Sequence, residues 1–165
     1  MKIRVINAGL IILSPFITRY FQELDLIENE KFINERSRNR AVYLLQYLVT
    51  NSLDHPEYLL ALNKLLVGLP IESPLSPIAE PTEREIEIGT SLLQAVIGHW
   101  KALKNSSTMA LQQTFLQREG ILTLNDQDHT LRIEKKGVDV LLSSLPWGIS
   151  IVKLPWMELP IFVEW

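Results

Sequence analysis

The 165-residue chain has 47% hydrophobic and 21% charged residues, which is typical of one globular domain with a single core. Its net charge of -3 argues against nucleic acid or an anionic membrane as a partner, because both would require a broad basic surface. The chain has no cysteine, which excludes disulfides, thiolate metal ligands and a cysteine nucleophile. The apolar stretch Ala8–Leu13 is far shorter than the ~20 residues of a membrane span. We therefore expect a cytoplasmic protein without a targeting segment.

The first half of the chain has the periodicity of helices. Met1–Val5 is short and alternating, and after the turn at Asn7–Gly9 an apolar run leads to Ser14 and Pro15. These two residues predict the N-cap and first position of a helix. A second helix is predicted over about 32–50, with a solvated basic start and an apolar end. A third begins at Pro56 and ends at Gly68.

A proline-rich connection over 70–81 separates these helices from two more. Thr82–Glu85 has the spacing of a capping box and predicts the start of a long helix. Ser107 predicts the cap of a further helix that ends at Gly120.

After Gly120 the period changes to that of strands. Ile121–Leu124 and Thr130–Glu134 predict a hairpin around the turn Asn125–His129. Val138–Leu145 predicts a short helix, and 149–154 and 161–164 are again typical of strands. The order favours a single α+β domain over 1–165, with a layer of five to six helices over about 8–120 and a small antiparallel sheet over about 121–165.

Candidate reactive groups are few. In the turn Asp126–His129 the aspartates are expected to bond their own backbone, in preference to binding a metal. His99 is interpreted as a buried structural histidine, with a general base as the alternative. The acidic residues Glu80, Glu83, Glu85 and Glu87 are explained by the helix dipole. We therefore predict no catalytic, metal or cofactor-binding residue.

Several polar and aromatic residues leave two interpretations open. The basic stretch Arg36, Arg38 and Arg40 favours a solvated helix face or a protein contact over a phosphate site. Gln46, Asn63 and His99 lie inside apolar runs and are either buried with a hydrogen-bond partner or exposed on an amphipathic helix. The C-terminal tryptophans favour core positions over an aromatic binding patch.

The chain resembles the tape measure proteins of bacterial contractile injection systems, which are phage-tail-like particles. The resemblance is carried by blocks along nearly the whole chain: Asn7-Ala8-Gly9-Leu10 with Pro15-Phe16, Arg40 to Leu48, Leu62 to Pro70, Ala95 to Trp100, Phe115 to Gly120, Leu145 to Gly148, Lys153 to Met157, and Val163 to Trp165. The residues of these blocks that we single out as structural or interaction positions are Asn7, Gly9, Pro15, Arg40, Gln46, Asn63, Lys64, Gly68, His99, Trp100, Arg118, Trp147, Trp156 and Trp165.

The resemblance implies a structural role in setting or ending the length of an inner tube, with tube, baseplate or cap proteins as partners and no catalytic residues. Tape measure proteins that act as rulers have long extended regions. Even an unbroken helix of 165 residues would span only ~250 Å, and the prolines prevent one. The chain therefore resembles the compact terminal domain of a ruler or a short stand-alone relative.

Three functions follow as hypotheses. The first is an assembly domain that works in the cytoplasm and remains inside the assembled particle. The second is a small adaptor or effector-loading chaperone of a secretion system, absent from the finished particle. The third is a hydrolase in which folding brings His99 close to an acid such as Glu119 or Asp126.

Overall fold

Five α-helices and two β-sheets make up the chain, whose computed structural model describes residues 1–165. The helices are α1 (Ser14–Glu23), α2 (Glu35–Thr50), α3 (Ala61–Leu66), α4 (Glu83–His99) and α5 (Thr108–Leu111). The strands are β1 (Lys2–Val5), β2 (Ile27–Glu28), β3 (Lys31–Phe32), β4 (Gly120–Leu124), β5 (His129–Ile133), β6 (Ile151–Val152) and β7 (Ile161–Glu164). The α+β class is confirmed. No helix has both the length and the apolar run needed to cross a bilayer.

The main sheet has the strand order β1-β4-β5-β7-β6. The predicted hairpin is confirmed as β4 and β5, but the expectation of a purely antiparallel sheet is wrong, because β5 and β7 are parallel. A parallel pair requires a crossover connection. Here the 3-10 helix Gly137–Ser144, which was predicted as a short helix, lies within that connection.

The expected order of helices followed by strands is wrong at the start of the chain. β1 pairs antiparallel with β4, so that Val5 lies opposite Gly120. A four-residue strand with a single buried position carries a weak periodic signal, and its partner lies more than a hundred residues away. The first residues therefore join the helical and β-rich parts.

Two helix starts differ from the prediction because of tertiary context. The second helix begins at Glu35, with the Asn34 side chain accepting from the Ser37 N–H, because Phe32 belongs to the hairpin β2–β3. Ser14 is not the cap of α1, since a 3-10 helix over Ala8–Leu13 continues directly into it. Pro15 does lie in the first turn of α1, as predicted.

The other helix boundaries are largely confirmed. Thr82 and Glu85 form the predicted capping box of α4, and the Ser107 hydroxyl accepts from the Ala110 N–H at the start of α5. Gly68 follows α3 with a φ of 79°, a conformation that favours glycine. The helical path after α5 continues only as a π-helical turn to Leu116, so that Gly120 opens β4 and does not end a helix.

The segment Ala8–Leu13 lies at the centre of the core, and all six residues are buried. Glycine is required at position 9, because a Cβ there would lie 1.7 Å from the Phe115 carbonyl oxygen. The close approach brings the π-helical turn directly against the first segment. The Ala8 N–H donates to the Arg118 carbonyl at 2.8 Å beside this contact.

Replacing Gly9 by alanine is expected to destabilise the protein by about 3 kcal/mol or more, because two backbone segments must separate to admit the methyl group. Gly98→Ala is the matched control, since nothing lies within 4 Å of its Cβ position. The helix propensity of alanine is expected to leave that variant as stable as the wild type or about 1 kcal/mol more so. Urea denaturation measures both effects. Equal stability of the two variants would contradict the assigned backbone contact.

Candidate functional site

Three buried side-chain amides join the start of the chain to two helices. The Asn7 Nδ2 donates to Gln46 Oε1 at 2.8 Å and to Asn63 Oδ1 at 2.6 Å, and Asn63 Nδ2 donates to the Val42 carbonyl at 3.0 Å. All three residues are buried. Gln46 and Asn63 are therefore partnered core residues and not solvent-facing positions of amphipathic helices. The cluster therefore fixes the chain at Asn7 against α2 and α3.

An open cleft of about 600 Å³ lies beside this cluster. It is bounded by Asn7, by Gln46 and Thr50 of α2, by His55, and by charged side chains near the ends of β4 and β5 that include Glu134. The Asn7 Oδ1 and the Gln46 Nε2 are buried without a hydrogen-bond partner. The cleft is thus polar, and its deepest residues belong to the core.

Arg118 is the centre of a second buried polar cluster. Its guanidinium donates to the Thr114 carbonyl at 2.8 Å, to the Glu134 carbonyl at 3.0 Å and to Asp139 Oδ2 at 2.8 Å. The Trp165 indole donates to the same Asp139 oxygen at 2.9 Å, and its ring lies 5.3 Å from the Arg118 guanidinium carbon. The cluster therefore holds the C-terminal tryptophan against the π-helical turn.

The ionisation of Asp139 is tied to this cluster. Burial alone would raise the pKa of its carboxyl, but hydrogen bonds from the Lys136 N–H, Arg118 and Trp165, with the Arg118 charge, outweigh burial and lower the pKa below its ordinary value. The folded state thus favours the carboxylate form.

The tryptophans do not form a shared patch, because each indole donates to a different part of the fold. Trp100 is fully buried and donates to the Leu141 carbonyl at 3.1 Å. Trp147 donates to the Ile12 carbonyl at 2.9 Å, and Trp156 donates to the Leu66 carbonyl at 2.7 Å. Trp147 and Trp156 each end a Leu-Pro-Trp tripeptide, and they therefore anchor the C-terminal part to the segment Ala8–Leu13 and to the end of α3.

In the basic start of α2, Arg36 is exposed to solvent, but the residues after it contact other parts of the chain. Arg38 donates to the Val67 carbonyl at 2.9 Å, and Asn39 exchanges two 2.9 Å hydrogen bonds with the Ser76 backbone. Arg40 forms a two-point ion pair with Glu85 of α4, and this hydrogen bonding is the main reason that the pKa of Glu85 is lowered. Glu85 thus has a second role beyond the capping predicted for it.

These contacts hold the proline-rich connection over 70–81 against α2. Lys64 is also buried, and its ammonium donates to the Ile71 carbonyl at 3.0 Å and to the Ser73 carbonyl at 2.8 Å. Gly68 lies close to another backbone segment in this region. A Cβ at position 68 would lie 2.5 Å from the Trp156 carbonyl oxygen. The stiff connection is therefore fastened by side chains from two helices.

His99 is exposed, which contradicts its interpretation as a buried structural residue. Its ring centroid lies 6.2 Å from that of Phe16 at the end of a shallow groove that Ser91 also lines. Ser91 and His99 are eight residues apart on α4, which places them ~12 Å apart along the helix axis. That separation excludes a hydrogen bond between this hydroxyl and this imidazole.

The turn Asp126–His129 connects β4 to β5. The Asn125 N–H donates to the Asp128 carbonyl at 3.1 Å, and the His129 N–H donates to the Pro160 carbonyl at 2.9 Å. Burial lowers the pKa of His129. The structure contains no group of three or more histidine or carboxylate side chains arranged to hold a metal ion.

The outer face of the main sheet is open. A cross-strand row of side chains on this face runs from Thr123 through Thr130 and Phe162 to Ile151. Ile151 is 56% exposed and Phe162 is 40% exposed. We call Ile121, Ile151 and Phe162, with the exposed pair Arg132–Glu164, the outer face. Ile151 and Phe162 lie opposite each other on neighbouring strands and form an exposed apolar pair beside these charges, which makes this face a candidate protein contact surface.

Two contributors to these sites were missed from the sequence. Asp139 lies in a segment that predicted only a helix, and its carboxylate accepts from the Lys136 N–H at the start of that helix; because lysine is not a residue type that marks an N-cap, no local pattern indicates this role. His55, whose Nδ1 is buried without a partner, follows α2 in an irregular segment, and no local pattern indicates it.

Replacing Arg118 by methionine is expected to destabilise the protein by about 3 kcal/mol, because it leaves the Asp139 carboxylate and two carbonyls without their donor. Arg132→Met removes an exposed ion pair and is expected to cost less than about 0.5 kcal/mol. Chemical denaturation of both variants tests the difference. A loss at Arg118 as small as that at Arg132 would contradict the buried cluster.

The lowered pKa of Asp139 predicts acid sensitivity. Its contribution to the free energy of unfolding is fully present above the ordinary carboxyl pKa of about 4 and is lost as the pH falls through the lower folded pKa. Asp139→Asn is therefore expected to be less stable than the wild type at pH 7, and the difference should shrink towards about pH 2. Asp126→Asn, in the exposed turn, is the control. A difference that stays constant with pH would exclude this linkage.

Comparison with known proteins places the chain in a family. A family model described as contractile injection system tape measure protein matches residues 1–165, the entire chain. No curated protein and no solved structure matches. The match covers the blocks that carry the resemblance in the sequence, including those that supply Asn7, Gln46, Asn63 and Arg118. The chain therefore belongs to the contractile injection system tape measure protein family.

Proposed function

We propose that this domain is a non-catalytic assembly unit that docks onto the inner tube, the baseplate or the cap of an injection particle during control of tube length. The observation that carries the proposal is the family match over all 165 residues. The domain would act in the cytoplasm during assembly and remain within the finished particle.

The arrangement of polar groups supports a structural role. The charged and amide side chains that the sequence singles out mainly donate to backbone carbonyls or to one another, as Lys64, Arg38 and Arg118 do. Donors used in this way fix chain segments and are not free to bind substrate. His99, the candidate general base, is exposed beside Phe16.

The outer face is the surface that we propose for docking. Its apolar side chains are presented by paired strands, so that little side-chain or backbone ordering is required on binding. Ile151 and Phe162 lie directly opposite each other on neighbouring strands. The adjacent Arg132–Glu164 pair supplies charges of both signs, which suit a polar rim around an apolar contact.

The variant Ile151→Thr/Phe162→Thr tests the proposal, because threonine retains β-propensity while removing most of the apolar contact. We expect at least about tenfold weaker binding to the purified tube, baseplate or cap protein that binds the wild type. Tyr58→Thr is the matched control, since Tyr58 is 74% exposed in the 3-10 helix Glu57–Leu60 and is not part of the outer face. Isothermal calorimetry measures binding, and thermal melting verifies folding.

Unchanged binding by the folded double variant would exclude the outer face, and failure of all three components to bind the wild type would contradict the docking role. Mass spectrometry of purified particles separates the proposal from the adaptor or chaperone alternative. The assembly unit is expected in finished particles, whereas an adaptor is expected to be absent from them.

A further inference from the structure

β6 is the last strand of the main sheet, and its partner in the sheet is β7. The Val163 N–H donates to the Ser150 carbonyl at 2.8 Å, so this carbonyl faces β7. In a planar trans peptide the N–H points in the direction opposite to the carbonyl, and the chain has no cis peptide bond. The Ile151 N–H therefore points away from β7, towards the free edge of the sheet.

The Ile151 carbonyl and the Lys153 N–H face the same free edge. Bonded and non-bonded residue pairs alternate along an antiparallel ladder, and the pair that includes Ser150 is bonded. Val152 and Ile161 therefore form the next bonded pair, and both backbone groups of Val152 face β7. Peptide planarity then directs the Ile151 carbonyl and the Lys153 N–H away from β7. None of the backbone hydrogen bonds outside the helices and strands uses these three outward groups.

The free edge is exposed and adjoins the outer face. Ile151 is 56% exposed, and Ser150 and Lys153 on either side of β6 are exposed as well. Side chains two residues apart on a strand lie on the same face, so Lys153 lies on the face of Ile151 and Phe162. A strand added at this edge would extend that apolar pair with a residue opposite Ile151.

The charge at the edge indicates a second feature of the added strand. The Lys153 ammonium donates to the Met157 carbonyl at 3.0 Å, which is a neutral acceptor. The positive charge is therefore free to attract a carboxylate. A residue opposite Lys153 on the added strand would lie two positions from the residue opposite Ile151, and an acidic side chain suits that position.

A second copy of the chain fits this edge less well. If two β6 strands paired antiparallel about a twofold axis at Ile151, each Lys153 would lie opposite Ile149 of the other copy. The ammonium would then face an apolar side chain and find no carboxylate. Lysine on an edge strand commonly prevents this kind of self-pairing.

We propose that the free edge of β6 binds an extended segment of a partner protein, which adds to the sheet as an antiparallel strand. An apolar residue of the segment lies opposite Ile151 and exchanges two backbone hydrogen bonds with it. An acidic residue two positions earlier lies opposite Lys153 and accepts from its backbone N–H. Main-chain bonds supply affinity in such complexes, and side chains of the added strand supply specificity. The inference rests on the proposed docking at the outer face and names the form of the partner segment.

Nuclear magnetic resonance titration of the ¹⁵N-labelled full chain tests the edge directly. The probe is the peptide acetyl-Thr-Glu-Thr-Val-Thr-Val-Thr-amide, whose first valine is designed to lie opposite Ile151 and whose glutamate is designed to lie opposite Lys153. A dissociation constant on the order of 1 mM is expected for so few contacts. The amide protons of Ile151 and Lys153 are expected to shift downfield and to exchange more slowly with solvent. Unmoved signals at both residues would overturn the proposal.

Modified peptides separate backbone pairing from side-chain contact. Methylation of the first valine nitrogen removes the donor to the Ile151 carbonyl and is expected to weaken binding at least about tenfold. Methylation of the nitrogen of the next threonine, which would face solvent, is the matched control. Equal binding of the two methylated peptides would refute strand addition. A peptide with lysine in place of glutamate is expected to bind about threefold more weakly, and equal or tighter binding would overturn the assigned charge.

The variant Ile151→Pro removes the outward N–H but no hydrogen bond to β7, and proline is tolerated on an edge strand in this position. Ile151→Thr is the matched control, because it also removes the apolar side chain but retains the N–H. The proline variant is expected to bind the peptide at least about tenfold more weakly than the threonine variant. Equal binding by the two folded variants would contradict the proposal, and the methylated peptides test it without any change to the chain.

Two further results assign the occupant of the edge. Sedimentation equilibrium of the free chain is expected to show no association through β6, and a dimer that Ile151→Pro abolishes would overturn the proposal in favour of a second copy. Tube, baseplate or cap proteins that bind Ile151→Pro and Ile151→Thr equally would refute strand addition and leave the proposed docking intact. Peptide binding at the edge without binding of any of these components would instead contradict the docking role alone.

Discussion

The close contact between Gly9 and the Phe115 carbonyl is the constraint on which the rest of the structure depends. It allows the buried segment Ala8–Leu13 to lie against the π-helical turn Gln112–Leu116 without an intervening side chain. Buried backbone must still satisfy its polar groups. The Ala8 N–H does so by donating to the Arg118 carbonyl, and the Trp147 indole donates to the Ile12 carbonyl. The central segment thus brings together parts of the chain that are distant in sequence.

Polar side chains specify this packing at positions where apolar contacts alone would allow several arrangements of the elements. Trp147 reaches back 135 residues and Trp156 reaches back 90 residues to single backbone carbonyls. The amides of Asn7, Gln46 and Asn63 perform the same function within the helical part, and Arg118 with Asp139 performs it at the C-terminus. Apolar surface tolerates sliding, whereas a displaced buried donor loses its partner at a cost of about 1–3 kcal/mol. These residues therefore select one arrangement of the elements.

Local chemistry explains which features were predictable from sequence. The capping box at Thr82 and the β4–β5 hairpin depend on residues that are close in sequence, and both are confirmed. β1 and the parallel β5–β7 pair depend on long-range pairing, which local periodicity does not encode. Gln46 and Asn63 left two interpretations open, because an amide within an apolar run indicates burial only when its partner is known. The exposure of His99 likewise depends on which elements cover the last turn of α4.

We propose that the helical and β-rich parts fold as one cooperative unit, because β1 lies in the sheet and one core of 40 buried residues includes both parts. Native-state hydrogen exchange tests this claim most directly. The slowest amides of α2 and of the β4–β5 hairpin are expected to exchange with the same free energy of opening, equal to that of global unfolding. Hairpin amides that open at a free energy about 2 kcal/mol or more below that of α2 would contradict the account, because the β-rich part would then unfold while the helical part remained intact.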